Sequence, residues 1–272
     1  MPTPFTKMQA LGNDFVVIQA NDARFPERDG IRKLADRKTG IGFDQFLWLE
    51  RGRTKGADVF YRVFNADGNE TEQCGNGARC IAYLIAGGEP QELTLEHVGG
   101  ISRALVESGG QVTVEIGIPE FRPEHIPFAA DSEQDSYTLD VGGETVEIQV
   151  VSVGNPHAVI TVDSVDDAPV EKLGPLLESH ARFPNHANIG FMQIVAPDRV
   201  RLRVFERGVG ETRACGTGAC AAVVAGHRAS QLDERVTVEL PGGELAVRWE
   251  GPGTPVWLTG EAVTAYEGTV EL

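Results

Sequence analysis

The chain has 272 residues and a formal net charge of −16, with 41% hydrophobic and 24% charged residues. That composition is globular and long enough for one large domain or two ordinary ones, while the acidity argues against a nucleic-acid partner. No run of 18 apolar residues occurs, and MPTPFTKMQALGNDF lacks the basic start and apolar stretch of a signal peptide, so no membrane partner is expected and a cytoplasmic location with reduced cysteines is.

Along the chain, IRKLADRK (31–38) reads as a polar–apolar helix and DVFYRVF as a strand. The segment NGARCIAYLIAGG, which follows Cys74, is small and apolar nearly all round, the pattern of a helix buried on every side. ELTLEHV and QVTVEIGI follow as strands, and the Gly pair of ESGGQVTVE predicts a hairpin. The Pro-rich run IPEFRPEHIPF places a domain boundary near Pro119, between 1–118 and 119–263. Beyond it come the strands TVEIQVVSV and HAVITV, then a second helix in PVEKLGPLLESHA (169–181), with Pro169 suited to a first helical turn. RVRLRVF, the apolar helix TGACAAVVAGHRA, RVTVEL and PVWLTGEAV complete the pattern, with hairpins at DVGGETVEI and LPGGELAV. The hairpins predict antiparallel sheets.

The chain repeats itself. RVFNADGNETEQCGNGA (62–78) and RVFERGVGETRACGTGA (203–219) share 9 of 17 positions at an offset of 141; unrelated segments share roughly one. GNDFVVI (12–18) resembles GNPHAVI (154–160), and IGFDQ (41–45) resembles IGFMQ (189–193), in the same order. Two similar domains in tandem follow, each with strands wrapped around its own apolar helix.

Each copy reads strand, loop, then Cys-Gly-x-Gly-Ala opening a helix. Cys74 and Cys215 therefore sit at helix N-termini, where unpaired N–H groups and the helix dipole favour negative charge. A lowered thiol pKa is expected there, and the same N–H groups can hold a carboxylate. Two such sites suit removal of a proton from a carbon beside a carboxylate by one thiolate, and return of a proton to the other face by the second thiol. Cys80 and Cys220, inside the apolar helices, read as structural residues. The cysteine spacings of six and five match neither a zinc site nor a CxxC redox pair. None of the five lysines lies in the repeated blocks and no Walker loop is present, so neither cofactor nor metal is expected.

With NADGNETEQCGNGARC, ERGVGETRACGTGACAA, FTKMQALGNDF, GIGFDQ, VGNPHAV and FPNHANIGF in this order, nearly the whole chain resembles diaminopimelate epimerase. The resemblance implies a pyridoxal-independent epimerase that interconverts LL- and meso-2,6-diaminopimelate, a step toward lysine and cell-wall peptide, with Cys74 and Cys215 as the acid–base pair. It implies that Gly75, Asn76, Gly216 and Thr217 hold the carboxylate at the reacting centre. Asn13, Gln45, Asn65, Asn155, Asn188, Glu206 and Arg207 match substrate-contacting positions, with Arg207 suited to the distal carboxylate. His157 and Glu206 match positions that tune the cysteine pKa values; His157 is also readable as a turn residue satisfied by backbone. The implied fold is α+β, two pseudo-symmetric domains, each an antiparallel barrel-like sheet around a central helix, with the active site in the cleft and residues 264–272 returning to the first domain. A homodimer with Tyr266 at the contact is implied as well. The alternatives are another cofactor-independent racemase, of proline or hydroxyproline type, and a thiol redox or metal-binding protein.

Overall fold

A computed structural model describes residues 2–20, 23–71 and 74–272. The chain divides into two compact units, residues 1–115 with 259–272, and residues 116–258. The crossings fall at 115/116 and 258/259, against the 118/119 and 263/264 expected from the Pro-rich run and the resemblance.

The first unit opens with the strands β1 (Thr3–Ala10) and β2 (Asn13–Gln19), helix α1 (Arg28–Ala35), then β3 (Gln45–Arg51), β4 (Val59–Asn65) and the short β5 (Glu70–Thr71). Helix α2 (Gly75–Ile85) and the strands β6 (Gln91–His97), β7 (Gly100–Val106) and β8 (Gln111–Gly117) follow. Next come β9 (Tyr137–Val141), β10 (Glu144–Ser152), β11 (Pro156–Thr161), helix α3 (Val170–Glu178), β12 (Asn188–Ala196), β13 (Arg199–Glu206) and β14 (Gly210–Thr212). Helix α4 (Gly216–Arg228), β15 (Arg235–Leu240), β16 (Gly243–Arg248), β17 (Val256–Glu261) and β18 (Val263–Val270) complete the chain.

The duplication read from sequence is a duplication of topology, although IGFDQ and IGFMQ are not its equivalent segments: Gln45 pairs with Phe15 as Asn188 pairs with His157, so the strand register matches Gln45 to Asn188 rather than to Gln193. β1–β2 and β10–β11 are antiparallel, β2–β3 and β11–β12 parallel, β3–β4 and β12–β13 antiparallel. β4 pairs antiparallel with β5 and parallel with β6, as β13 does with β14 and β15. The last strand fits the same scheme: β18 pairs antiparallel with β1, as β9 does with β10. The predicted hairpins are present as β7–β8, β9–β10 and β15–β16, each antiparallel. Among the described residues, β2–β3, β4–β6, β11–β12 and β13–β15 are parallel instead, and each spans a helix, because a parallel return needs a long crossover.

The helix after each cysteine is buried, as its composition predicts. All residues of α2 from Gly75 to Ala82 are buried, and it packs on β1, β2, β6 and β7. In α4 burial extends to Gly226, and the helix packs on β10, β11, β12, β13, β15 and β16. Small residues allow this approach: a Cβ on Gly77 would lie 3.3 Å from Leu47 and 3.5 Å from Phe15. Helix α1 begins three residues before the predicted segment and stops at Ala35, because the Asp36 carboxylate takes the N–H groups of Lys38 and Thr39 at 2.8 and 2.7 Å, a side-chain turn that competes with the helix. Ile31, Val16, Phe46, Trp48 and Phe64 form one apolar cluster in the first unit; Phe128, Tyr137, Leu173, Leu177 and Phe191 belong to that of the second. Among the described residues no helix is long and apolar enough to cross a membrane.

Candidate active site

Both cysteines are helix N-caps. Cys74 has φ −136° and ψ 113°, and its sulfur accepts the Gly77 N–H at 3.5 Å. Cys215 has nearly the same backbone, φ −124° and ψ 109°. The strand pair before each is clamped by a bidentate ion pair in register with the repeat. Arg62 grips Glu70 at 2.7 and 2.8 Å, and Arg203 grips Glu211 at 2.6 and 2.8 Å. These pairs join β4 to β5 and β13 to β14, shortly before each cysteine in the chain.

In the first unit, Cys74 is partly exposed and its S–H faces Asn13 Oδ1 at 3.9 Å. Asn76 Nδ2 donates to the same oxygen at 3.3 Å, and Asn13 Nδ2 donates to Asp44 at 3.0 Å. Asp44 belongs to an ionic group behind the site. Arg37 bridges Asp14 and Asp44 at 2.7 Å each, and Lys7 binds Asp14 and the Gly42 carbonyl. Burial opposes ionisation of Asp14, but hydrogen bonds from Arg37, Lys7 and the Asp44 N–H outweigh it and hold the carboxyl well below the usual range. Gln45 Nε2 donates to Asn65 Oδ1 at 3.0 Å, while Gln45 Oε1 is buried with no hydrogen-bond partner among the described residues. Gly75 opens α2 beside these side chains.

In the second unit, the surroundings differ. Cys215 is buried and its S–H donates to Glu206 Oε2 at 3.1 Å; the Thr212 hydroxyl donates to the other carboxylate oxygen at 2.5 Å. Burial, then the Glu206 charge and hydrogen bond, push the Cys215 thiol well above its usual range, and the Gly218 N–H and Thr217 only partly offset them. This corrects the expectation of a lowered pKa at this helix start. The dipole acts as supposed, but burial and a carboxylate outweigh it. Thr217 Oγ1 lies 3.7 Å from Cys215 Sγ and accepts from Asn155 Nδ2 at 3.4 Å. His157 sits in β11, not in a turn, and its Nε2 meets Asn155 Oδ1 at 2.9 Å. Burial, then the Arg207 charge, push its pKa down to about 3, so the ring is neutral and donates from Nε2. Asn188 holds the corner after β13: its Oδ1 accepts the Arg207 N–H at 3.0 Å and its Nδ2 donates to the Pro156 carbonyl at 3.2 Å. The Arg207 guanidinium, exposed, donates to the Asn185 carbonyl at 3.2 Å.

The expected residues thus fall into hydrogen-bonded groups, Asn13 with Cys74 and Asn76 and separately Gln45 with Asn65 in one unit, and Asn155, His157, Thr217, Cys215 and Glu206 and separately Asn188 with Arg207 in the other. Tyr266 belongs to neither; it lies on β18, edge-on to Phe5 with ring centroids 6.0 Å apart. Asp44, Arg79, Thr212 and the two Arg–Glu clamps were not singled out from sequence, although all lie within or beside the repeated blocks.

The family model described as diaminopimelate epimerase matches residues 5–122 and 149–265, once over each copy. The chain belongs to the diaminopimelate epimerase family. Among relatives so named, that of Alkalilimnicola ehrlichii is 51% identical over 279 residues, covering 100% of both chains. That of Halorhodospira halophila is 53% identical over 98% of this chain and 95% of its own, and that of Pseudomonas aeruginosa is 51% identical over 98% and 99%. The fold is also that of a probable proline racemase from Agrobacterium radiobacter, with a TM-score of 0.72 at 18% identity over 99% and 93% of the two chains. A hydroxyproline epimerase from Agrobacterium vitis gives a TM-score of 0.70 at 16% identity over 99% and 92%. As in other diaminopimelate epimerase family members by name, the chain is an isomerase acting on an amino acid.

Proposed function

We propose that the chain interconverts LL- and meso-2,6-diaminopimelate without a cofactor, using Cys74 and Cys215 as a two-thiol acid–base pair. The observation that carries this reading is two cysteines at equivalent N-caps of a duplicated fold, one donating to a carboxylate and one facing amides. One sulfur, as thiolate, takes the proton from the carbon that bears a carboxylate and an ammonium. The other, as thiol, returns a proton to the opposite face, and the centre inverts. The first sulfur ends protonated and the second ends as thiolate, so the reverse reaction starts with the roles exchanged. Cys215, buried against Glu206, is suited to begin as the thiol, which makes Cys74 the base in that direction.

The N–H groups of Gly75, Asn76, Gly216 and Thr217 suit the carboxylate beside the reacting carbon. The exposed guanidinium of Arg207 suits the distal carboxylate, and the unpartnered Gln45 Oε1 suits an ammonium. Asn13, Asn65, Asn155 and Asn188 would complete the recognition of a diamino dicarboxylate, with His157 and Glu206 setting the state of Cys215. We assign residues 1–118 with 264–272 and 119–263 as the two epimerase domains, a cytoplasmic location, and a homodimer. Tyr266, 49% exposed on a strand whose residues are mostly exposed, supports a contact there; a Tyr266→Ala variant that kept the mass of a dimer by light scattering would remove that support.

Turnover in heavy water tests the chemistry. Deuterium should enter the product ahead of the recovered substrate, whereas early and equal labelling of both would point to one shared base and overturn the mechanism. Cys74→Ala and Cys215→Ala should each abolish epimerisation with the fold retained. A substrate panel in which proline turns over and diaminopimelate does not would overturn the substrate.

A further inference from the structure

Each copy places an asparagine beside its cysteine, Asn13 and Asn155, at an offset of 142. The two amides are turned in opposite senses. In the first unit the Asn13 oxygen faces Cys74 and Asn76, and its nitrogen faces Asp44. Asn76 Oδ1 in turn accepts from Arg79 Nη2 at 2.9 Å. Arg79 is 0% exposed and Asn76 is buried with it. Every donor in this series points the same way, from Arg79 through Asn76 and Asn13 to Asp44. A guanidinium can only donate and a carboxylate can only accept, so the two charged ends decide how both amides face. Asp44 is itself held, because its carboxylate takes the Asp14 N–H at 3.1 Å and Arg37 at 2.7 Å.

The second unit has neither end. The residue 141 positions beyond Arg79 is Cys220, and strand register places Ala187 where the first unit has Asp44. There His157 donates to the Asn155 oxygen, which turns the Asn155 nitrogen toward Thr217 beside Cys215. One thiol is therefore faced by an amide oxygen, and the hydroxyl next to the other by an amide N–H.

We propose that Asp44 and Arg79 are positioning residues that hold the Asn13 oxygen toward Cys74. This rests on the reading of Cys74 as an acid–base group. An amide oxygen gives a thiolate no hydrogen bond, so Cys74 stays a strong base; the reversed amide would donate to the thiolate and weaken it. The same tether keeps Asn13 a fixed acceptor. Among the described residues, the ionisable groups around Cys74 are Arg79 and Cys80 on its own helix, Tyr61 on β4, and Lys7, Asp14, Arg37 and Asp44 behind Asn13.

The test is Asp44→Asn, which keeps the shape but ends the series in a group that can also donate. With diaminopimelate, kcat/KM should fall about ten- to a hundredfold, the size of one hydrogen bond to a charged group. Without substrate, iodoacetamide alkylation of Cys74, followed across pH by peptide mass spectrometry in a Cys215→Ala background, should shift its midpoint downward. The Cys215 midpoint, measured in a Cys74→Ala background, should stay put. Lower turnover with a lower Cys74 midpoint and an unmoved Cys215 midpoint separates this from a loosened fold, which would uncover both thiols and Cys80 together. Arg79→Lys keeps a donor and should stay within a few-fold of the parent, and Arg79→Met should lose activity as Asp44→Asn does; if Arg79→Met does not fold, the Asp44→Asn measurement decides. An unchanged Cys74 midpoint in folded Asp44→Asn, or equal movement of both thiols, overturns the proposal. The alkylation needs no turnover, so it answers separately from whether diaminopimelate is the substrate.

Discussion

Replacing His157 by Gln should make the protein less sensitive to acid. His157 is 1% exposed, and burial, aided by the Arg207 charge, depresses its pKa to about 3. In the unfolded chain it returns to about 6.5. As the pH falls below that value, the unfolded state takes up the proton first. The stability carried by the neutral ring is therefore complete above about pH 6.5 and is lost as the pH falls toward about 3. The slope is about 1.4 kcal/mol per pH unit, so about 3 kcal/mol is lost at pH 4.5 and about 5 kcal/mol over the whole shift. Gln does not titrate, and its amide N–H can replace Nε2 toward Asn155 Oδ1. Urea unfolding of parent and variant at several pH values from 7.5 to 4.5 measures the difference directly. The parent should lose about 3 kcal/mol more than the variant by pH 4.5. Parallel stability curves would refute a buried neutral histidine, even if the variant is uniformly less stable.

Glu206→Gln removes the charge 3.1 Å from the Cys215 sulfur. Its alkylation midpoint in a Cys74→Ala background should move down, because the thiolate no longer faces a charge and a carboxylate acceptor; an unchanged midpoint would leave burial as the sole cause. Because the folded Cys215 pKa is raised, the stability it carries is complete below about 8.5 and is lost as the pH rises above it. Glu206→Gln should flatten that alkaline decline in a thermal melt series. Gly218→Ala puts a Cβ 3.0 Å from Val204 and 3.3 Å from Cys215 Sγ. It should displace the sulfur from Glu206 and lower kcat at least tenfold with little change in unfolding midpoint, and wild-type turnover would show that the sulfur tolerates the shift. Gly174→Ala sets a Cβ 2.7 Å from the Phe205 ring, away from the cysteines; it should cost about 1–3 kcal/mol in urea unfolding and leave kcat unchanged.

Strands with one polar face were easy to see in the sequence. β6, β8, β13 and β15 alternate buried and less buried residues, and each was predicted within a residue or two. β3 and β12 were not, because runs such as Phe46–Leu49 and Ile189–Met192 are buried continuously and lack that alternation. The hairpins declared themselves through their Gly pairs, but the parallel pairs did not. A strand's partner after a crossover depends on where the intervening helix packs, which no local pattern records. At the site, the cysteines, asparagines and Arg207 stood in recognisable blocks. Asp44 and Arg79 stand in or beside the same blocks but carry no local signal, since their significance lies in which end of an amide they face.

The sequence by itself determined the duplication, the two cysteines at helix starts and the family, because all three are written in residue order and spacing. Only the tertiary structure decided how those equivalent positions differ. At the helix starts, local dipoles predicted two alike thiols; burial and Glu206 raised Cys215, while Asp44 and Arg79 turned the Asn13 oxygen toward Cys74. Burial depends on the whole packed unit, and the direction of the Asn13 amide depends on groups 31 and 63 positions away, Asp44 and Asn76, which only folding puts side by side.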